Sequence, residues 1–177
     1  MPPGTALTRK LHFFYRSVFD HAADGYRTVL PAAAMVYIVG LLNSLVLDFV
    51  ARRKVSSTVT KAVMSTLPIA DVPLEYGPGA QLARLSARLT CRGPEFAELA
   101  GVLGAECAPL SRQEQRVLRA ELDARVACLY GLSAHQLDLV LADFRQSADA
   151  EGSPVRPDED YKNLVRGEFA RLNSAGA

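Results

Sequence analysis

Apolar residues recur at helical spacing along most of this chain. In residues 81–91, Leu82, Leu85 and Leu89 fall on one face of a predicted helix. Two later segments repeat the pattern, with Leu118, Leu122, Val126 and Leu129 on the face of one and Val165, Phe169 and Leu172 on the face of the other. Because such faces are stable only when they pack against each other, the sequence predicts a mainly α fold, a helical domain.

Local signals mark where two of these helices begin. Ser111 is followed three residues later by Glu114, and Ser133 is followed in the same way by Gln136. In such a capping box the serine hydroxyl accepts a hydrogen bond from a backbone N–H of the first turn, while the longer side chain reaches back. Gly131 is typical of the residue that follows a helix, so the first helix should end just before it.

The longest apolar run lies in residues 28–47, which contain no charged residue. Together with the residues that follow, this run predicts one long helix over residues 32–53. The helix ends in basic residues, whose positive charge is favourable at the negative end of the helix dipole. Its expected core residues are Leu41, Leu42, Leu45, Val46 and Phe49, packed around Leu118 and Leu122. A run of about twenty apolar residues also has the length of a membrane span, so a single-pass membrane protein with a small helical cytosolic domain is an alternative.

Strand signals and breaks complete the predicted organisation. Alternating residues over 11–16 and a β-branched polar run predict a few short strands, before residue 30 and around residues 54–60. Residues 70–79 contain two prolines and two glycines and form a predicted connector. The predicted units are a recognition-type segment over 1–75, a helical subdomain over 76–146, a linker over 147–160 and a C-terminal helix over 161–177.

Composition narrows the function classes. The chain has 177 residues, of which 49% are hydrophobic, so it can bury a core. Lys and Arg number 20 against 19 Asp and Glu, which excludes a protein held to nucleic acid by bulk charge alone. The three cysteines form no C-x-x-C pair, so neither a disulfide framework nor a cysteine-based zinc site is predicted. Reduced thiols fit the cytoplasmic location that we expect.

No motif with known catalytic chemistry occurs in the sequence. G-x-x-x-x-G-K-[ST], G-x-G-x-x-G and G-x-S-x-G are all absent, and the three histidines lack metal-ligand spacing. Pro157 and Asp158 with Asp160 and Lys162 mimic a nuclease motif, but they fall within six residues of a predicted linker. We therefore assign no catalytic residue, no metal ligand and no cofactor-binding residue to this chain.

Two groups of basic residues have the chemistry to hold phosphate oxygens. The first is a basic turn in which cations alternate with hydroxyl groups. Its candidate DNA-binding residues are Arg52, Arg53, Lys54, Ser57, Thr58 and Lys61. The second group is a helical stripe of Arg84, Arg88 and Arg92. Both also have a structural interpretation, as a helix end that suits the dipole and as a solvated helix face.

Three segments in order resemble a known family. Residues 40–73 contain an LLNS helix, the basic turn, a short helix and a Leu-Pro stretch. Residues 118–144 contain the LYGL segment, and residues 161–172 form a tyrosine-led helix. Together they resemble the C-terminal target-recognition and helical region of adenine-specific DNA methyltransferases, of the type IIG restriction–modification class and related phage-defence methylases.

The resemblance implies a non-catalytic DNA-recognition role. None of the three asparagines is followed by proline, so the family's Asn-Pro-Pro-aromatic motif is absent, as is its glycine-rich cofactor loop. S-adenosylmethionine is therefore expected only in a catalytic domain or subunit that acts as partner, and this chain alone should bind DNA weakly. The chain is then a truncated product, a split subunit or an excised domain, with a degenerate fragment without function as a further alternative. In that family the LLNS helix is buried in protein, so no membrane is expected.

Overall fold

The computed structural model describes residues 17–28, 30–55, 60–144 and 157–175. Two strands, β1 (Ser17–Asp20) and β2 (Gly25–Thr28), precede the helices. The helices of the described part are α1 (Ala32–Leu42), α2 (Leu45–Lys54), α3 (Lys61–Ser65), α4 (Gly77–Thr90), α5 (Ala97–Leu103), α6 (Arg112–Leu129), α7 (Ala134–Asp143) and α8 (Glu159–Ala175), and a short 3₁₀ helix (Pro94–Phe96) leads into α5. The predicted fold class, mainly α with short strands near the N-terminus, is confirmed.

The two strands form an antiparallel hairpin. Ser17 lies opposite Thr28 and Asp20 lies opposite Gly25. The Asp20 carboxylate accepts a hydrogen bond from the backbone N–H of Ala22 at 3.0 Å, which stabilises the turn. The strand signal over 11–16 lies outside the described residues, and so do residues 56–59 of the second predicted strand region.

The prediction of a single long helix over residues 32–53 is wrong. The structure has two helices there, α1 and α2, bent by 68°. Ser44 caps α2, because its hydroxyl accepts a hydrogen bond from Leu47 N–H at 3.3 Å and donates one to the Leu41 carbonyl at 2.6 Å. The Asn43 side-chain amide donates to the Val39 carbonyl at 2.8 Å. These short polar side chains compete with the helical hydrogen bonds and start a new helix.

One hydrophobic core joins the helices. Helix α1 packs chiefly on α4, α6 packs on α8 and α4, and α2 packs on α7 and α6. Gly40 permits the close crossing of α1 and α4, since a Cβ atom there would lie 3.0 Å from the Ser86 Cβ. Of the predicted core residues, Leu41, Val46 and Leu122 are buried, Leu42, Leu45 and Leu118 are partly buried, and Phe49 is half-buried.

The structure can be compared with the four units that the sequence predicts. Side chains from both sides of the predicted boundary between residues 75 and 76 belong to the same hydrophobic core. The division of the chain at this boundary stays a prediction. Most of the predicted linker lies outside the described residues, and helix α8 begins two residues earlier than expected, at Glu159. Asp158 accounts for this start, because its carboxylate accepts a hydrogen bond from Tyr161 N–H at 2.7 Å.

Both predicted capping boxes are confirmed. Ser111 N–H donates to the Glu114 carboxylate at 2.8 Å, and Glu114 N–H donates to the Ser111 hydroxyl at 3.2 Å. Ser133 and Gln136 form the same pair of bonds at the start of α7. Gly131 has a φ of 66°, the left-handed conformation expected after a helix.

The described ranges of the chain also bear on the alternative of a membrane span. No single helix there is long and apolar enough to cross a bilayer. Among the described residues, α1 and α2 taken together have that length and composition, but they are bent by 68°.

Candidate functional site

The basic turn begins at the last turn of α2, where Arg52, Arg53 and Lys54 lie. The Arg52 guanidinium donates two hydrogen bonds to the Asp48 carboxylate, at 2.8 and 3.0 Å. It also lies 5.0 Å from the centre of the Phe144 ring. Arg52 is therefore held in place by groups of the protein itself.

Arg53 and Lys54 are engaged in a similar way. The Arg53 guanidinium pairs with the Asp143 carboxylate at 3.2 Å and lies 3.4 Å from the centre of the Phe49 ring. The Lys54 ammonium donates a hydrogen bond to the Thr66 carbonyl at 2.9 Å. About half of the Arg53 side chain remains exposed, but a neighbouring carboxylate offsets its charge.

The rest of the basic turn is described only in part. Ser57 and Thr58 lie outside the described residues. Lys61 is the first residue of α3, whose N-cap Thr60 accepts a hydrogen bond from Val63 N–H at 3.2 Å, and the Lys61 side chain is not described. The structure thus brings three of the six candidates to one helix end, and their DNA-binding role stays a prediction.

The arginines of the second stripe have different environments. Arg88 pairs with the Glu106 carboxylate at 3.3 Å and donates a hydrogen bond to the Ala108 carbonyl at 2.8 Å. Arg84 is exposed on α4. Arg92 lies beyond the end of α4 and lines a cleft that the sequence did not predict.

This cleft, the arginine cleft, has a volume of about 920 Å³ and lies among α1, α4, α6 and the start of α8. The charged residues that line it are Arg92, Arg112, Arg116, Arg119 and Asp123. Helix α6 provides four of them, because positions 112, 116, 119 and 123 recur on one helical face. Four guanidinium groups and one carboxylate line the cleft, which gives it an excess of positive charge, although Asp158 offsets the charge of Arg116.

The four arginines differ in how they are paired. Arg116 pairs with the Asp158 carboxylate, and its guanidinium lies 5.5 Å from the centre of the Tyr161 ring. Arg92, Arg112 and Arg119 form no ion pair with any carboxylate in the described part of the chain. These three guanidinium groups therefore have hydrogen-bond donors available for an anion.

Asp123 forms a buried acceptor behind the arginines. Its side chain accepts hydrogen bonds from Leu45 N–H at 2.8 Å and from the Tyr161 hydroxyl at 2.6 Å, and the residue is only 5% exposed. Burial raises the pKa of Asp123 to about 6. Burial and the Asp123 charge both raise the pKa of Tyr161, so its hydroxyl remains a donor.

Apolar side chains form much of the remaining wall. Val39, Leu89, Phe96 and Leu122 line the cleft beside Gly40. The arrangement combines cations, an apolar surface and a buried acceptor, which is typical of sites for organic anions. Among the described residues, no three His, Cys, Asp or Glu side chains are grouped to hold a metal ion.

Comparison of the chain with protein-family models, with curated proteins and with solved structures finds no match. The resemblance to adenine-specific DNA methyltransferases therefore rests on the sequence segments 40–73, 118–144 and 161–172 alone.

Proposed function

We propose that this chain is a non-catalytic DNA target-recognition module of an adenine-specific DNA methyltransferase system. Methyl transfer, and the S-adenosylmethionine that it requires, belong in this proposal to a partner domain or subunit. Two observations support the proposal: the resemblance of three sequence segments to that family, and the arginine cleft. The cleft is the single structural observation that carries it.

The chemistry of arginine suits this role. A guanidinium group presents a planar fork of N–H donors that matches two phosphate oxygens, and charge-assisted bonds of this kind are stronger than neutral ones. Arg92, Arg112 and Arg119 line one cleft without a carboxylate partner among the described residues. Contacts of this type fix a protein on the DNA backbone and leave the sequence to be distinguished by other groups.

The arginine cleft is a better candidate for the main phosphate contact than the basic turn. Arg52 and Arg53 each have a carboxylate partner, which a DNA phosphate must displace. Lys54 and Lys61 supply the remaining cations of the turn. We therefore assign the main phosphate contact to the arginine cleft and a supporting phosphate contact to the basic turn.

The experiment is a titration of a fluorescently labelled duplex with the protein at several salt concentrations. A cleft variant carries Arg92→Ala, Arg112→Ala and Arg119→Ala. A turn variant carries Arg53→Ala, Lys54→Ala and Lys61→Ala and removes the same charge. We expect the cleft variant to reduce the salt slope by about 0.9 for each lost phosphate contact, and the turn variant to reduce it less.

Circular dichroism spectra of both variants check that they remain folded. A wild-type chain that does not bind duplex DNA at low salt contradicts the proposal, and so does a cleft variant that binds with unchanged affinity and slope. If the turn variant alone loses binding, the DNA lies at the end of α2, and the assignment to the cleft is wrong.

A further inference from the structure

The arginine cleft has structural features that a flat phosphate-binding surface does not need. A contact with the DNA backbone requires only exposed cations, because phosphates lie on the outside of the duplex. Here the arginines border a cavity of about 920 Å³, which lies in the range of about 300–1,000 Å³ that is typical of small-molecule sites. Behind them lie an apolar wall and a buried carboxylate.

The charged residues that α6 contributes to the cleft are spread along the helix axis. On α6, Arg112 lies about 16 Å from Asp123 along the helix axis, and Arg119 lies about 6 Å from it. Because Arg112 and Arg119 are exposed and Asp123 is buried, a ligand from solvent meets the guanidinium groups before the carboxylate. Phe96 and Leu89 line the cleft as well and offer an apolar surface to a planar group.

We propose that the arginine cleft binds one unpaired nucleotide, with its phosphate on Arg92, Arg112 and Arg119, its base against Phe96 and Leu89, and an amino group of the base donating to Asp123. A nucleotide extruded from DNA and a free nucleoside monophosphate present the same chemistry. The assignment to DNA rests on the proposed function, whereas the nucleotide site itself does not.

Asp123 also defines which bases suit the site. Each of its carboxylate oxygens already accepts one hydrogen bond, and each has a further lone pair available. An ionised carboxylate only accepts, so it favours the exocyclic amino groups of adenine, cytosine and guanine. Thymine has carbonyl oxygens in place of an amino group, and its single base donor, the N3–H, lies between two such oxygens that repel the carboxylate.

The test compares three DNA probes and one free nucleotide. The DNA probes are a fully paired duplex, the same duplex with one unpaired adenine, and the same duplex with one unpaired thymine. The free nucleotide is adenosine monophosphate, titrated by calorimetry. We expect the unpaired adenine to increase affinity about tenfold over the paired duplex, which is the size of one base–aromatic stacking contact, and the unpaired thymine to increase it less.

Two aromatic variants localise the effect. Phe96→Ala should abolish the preference for the unpaired adenine over the paired duplex. Phe19→Ala removes an equally large ring from the hairpin, outside the cleft, and should retain the preference. Equal loss of the preference in both variants contradicts the assignment to the cleft.

The outcomes separate the two proposals. Equal binding of paired and unpaired duplexes, without binding of adenosine monophosphate, overturns the nucleotide site and leaves the DNA-recognition role standing. Binding of adenosine monophosphate that Arg119→Ala weakens, without any DNA binding, supports the nucleotide site and overturns the DNA-recognition role. Failure of every probe overturns both.

Discussion

Asp123 connects three helices through one carboxylate. The residue lies on α6, and it accepts hydrogen bonds from Leu45 N–H at the start of α2 and from the Tyr161 hydroxyl on α8. A negative charge at the first turn of α2 is also favourable for the helix dipole. Against these gains stands the cost of holding an ionised carboxylate away from water, and the raised pKa shows that this cost is the larger one.

Stability should therefore depend on pH through Asp123. The folded-state pKa of about 6 lies above the ordinary value of 3.8, so the contribution is fully present below about pH 3.8 and is lost as the pH rises through 6. The shift of roughly two units corresponds to about 3 kcal/mol. Because Asp123→Asn does not titrate, we expect the wild type to lose about 2 kcal/mol relative to this variant between about pH 4 and pH 7.5, since the unfolded carboxyl is already partly ionised at pH 4.

The measurement is urea unfolding of both proteins at the two pH values. Other carboxylates titrate in both proteins, and their effects cancel in the difference between them. A difference in unfolding free energy that does not change with pH means that the Asp123 carboxylate is not desolvated as described.

At the scale of the helices, the sequence predicts those features that depend on contacts between residues close together in the chain. Both capping boxes follow from residues three positions apart, so they were predictable without knowledge of the fold. The break between α1 and α2 does not follow in this way, because Ser44 lies within an apolar run, where a serine is also compatible with a continuous helix. The partner that anchors the new helix start is Asp123, which lies 78 positions from Leu45 along the chain.

The crossing of α1 and α4 gives a prediction at this scale. A Cβ atom at Gly40 lies 3.0 Å from the Ser86 Cβ, so Gly40→Val forces the two helices apart. Overpacking of this kind costs about 1–3 kcal/mol. Gly167→Val is the matched control, since a Cβ atom there meets nothing within 4 Å, and it should be close to neutral.

Chemical denaturation of the two glycine variants measures this difference. Combining Gly40→Val with Ser86→Gly should recover part of the lost stability, because the second change removes the nearest atoms of α4. Equal stability of the Gly40 and Gly167 variants would show that the helices do not cross as closely as 3.0 Å implies.

At the scale of the whole molecule, a net charge of +1 conceals a local concentration of positive charge. The spacing of Arg112, Arg116 and Arg119 in the sequence places these three arginines on one face of α6. A count of arginines on that helical face could therefore have predicted this side of the cleft. Arg92 follows the end of α4, and only the packing of α4 on α6 brings it to the same cleft. Periodicity therefore predicted the helices, but not the site between them.

The isolated chain should transfer no methyl group and cleave no DNA. The sequence lacks both the Asn-Pro-Pro-aromatic motif and a glycine-rich cofactor loop. The measurement is label transfer from S-adenosylmethionine to mixed-sequence DNA, with a magnesium-dependent cleavage assay beside it. Activity that persists through further purification steps in either assay would contradict the non-catalytic role.

Arginine protection in the wild-type protein tests the central claim, that the arginine cleft holds nucleic-acid phosphates. The protein is treated with an arginine-specific dicarbonyl reagent, with and without duplex DNA, and each site is quantified by peptide mass spectrometry. We predict that DNA protects Arg92, Arg112 and Arg119, while Arg84, exposed on α4, stays reactive as the internal control. Protection of Arg52 and Arg53 with full reactivity in the cleft is the result that would contradict the account.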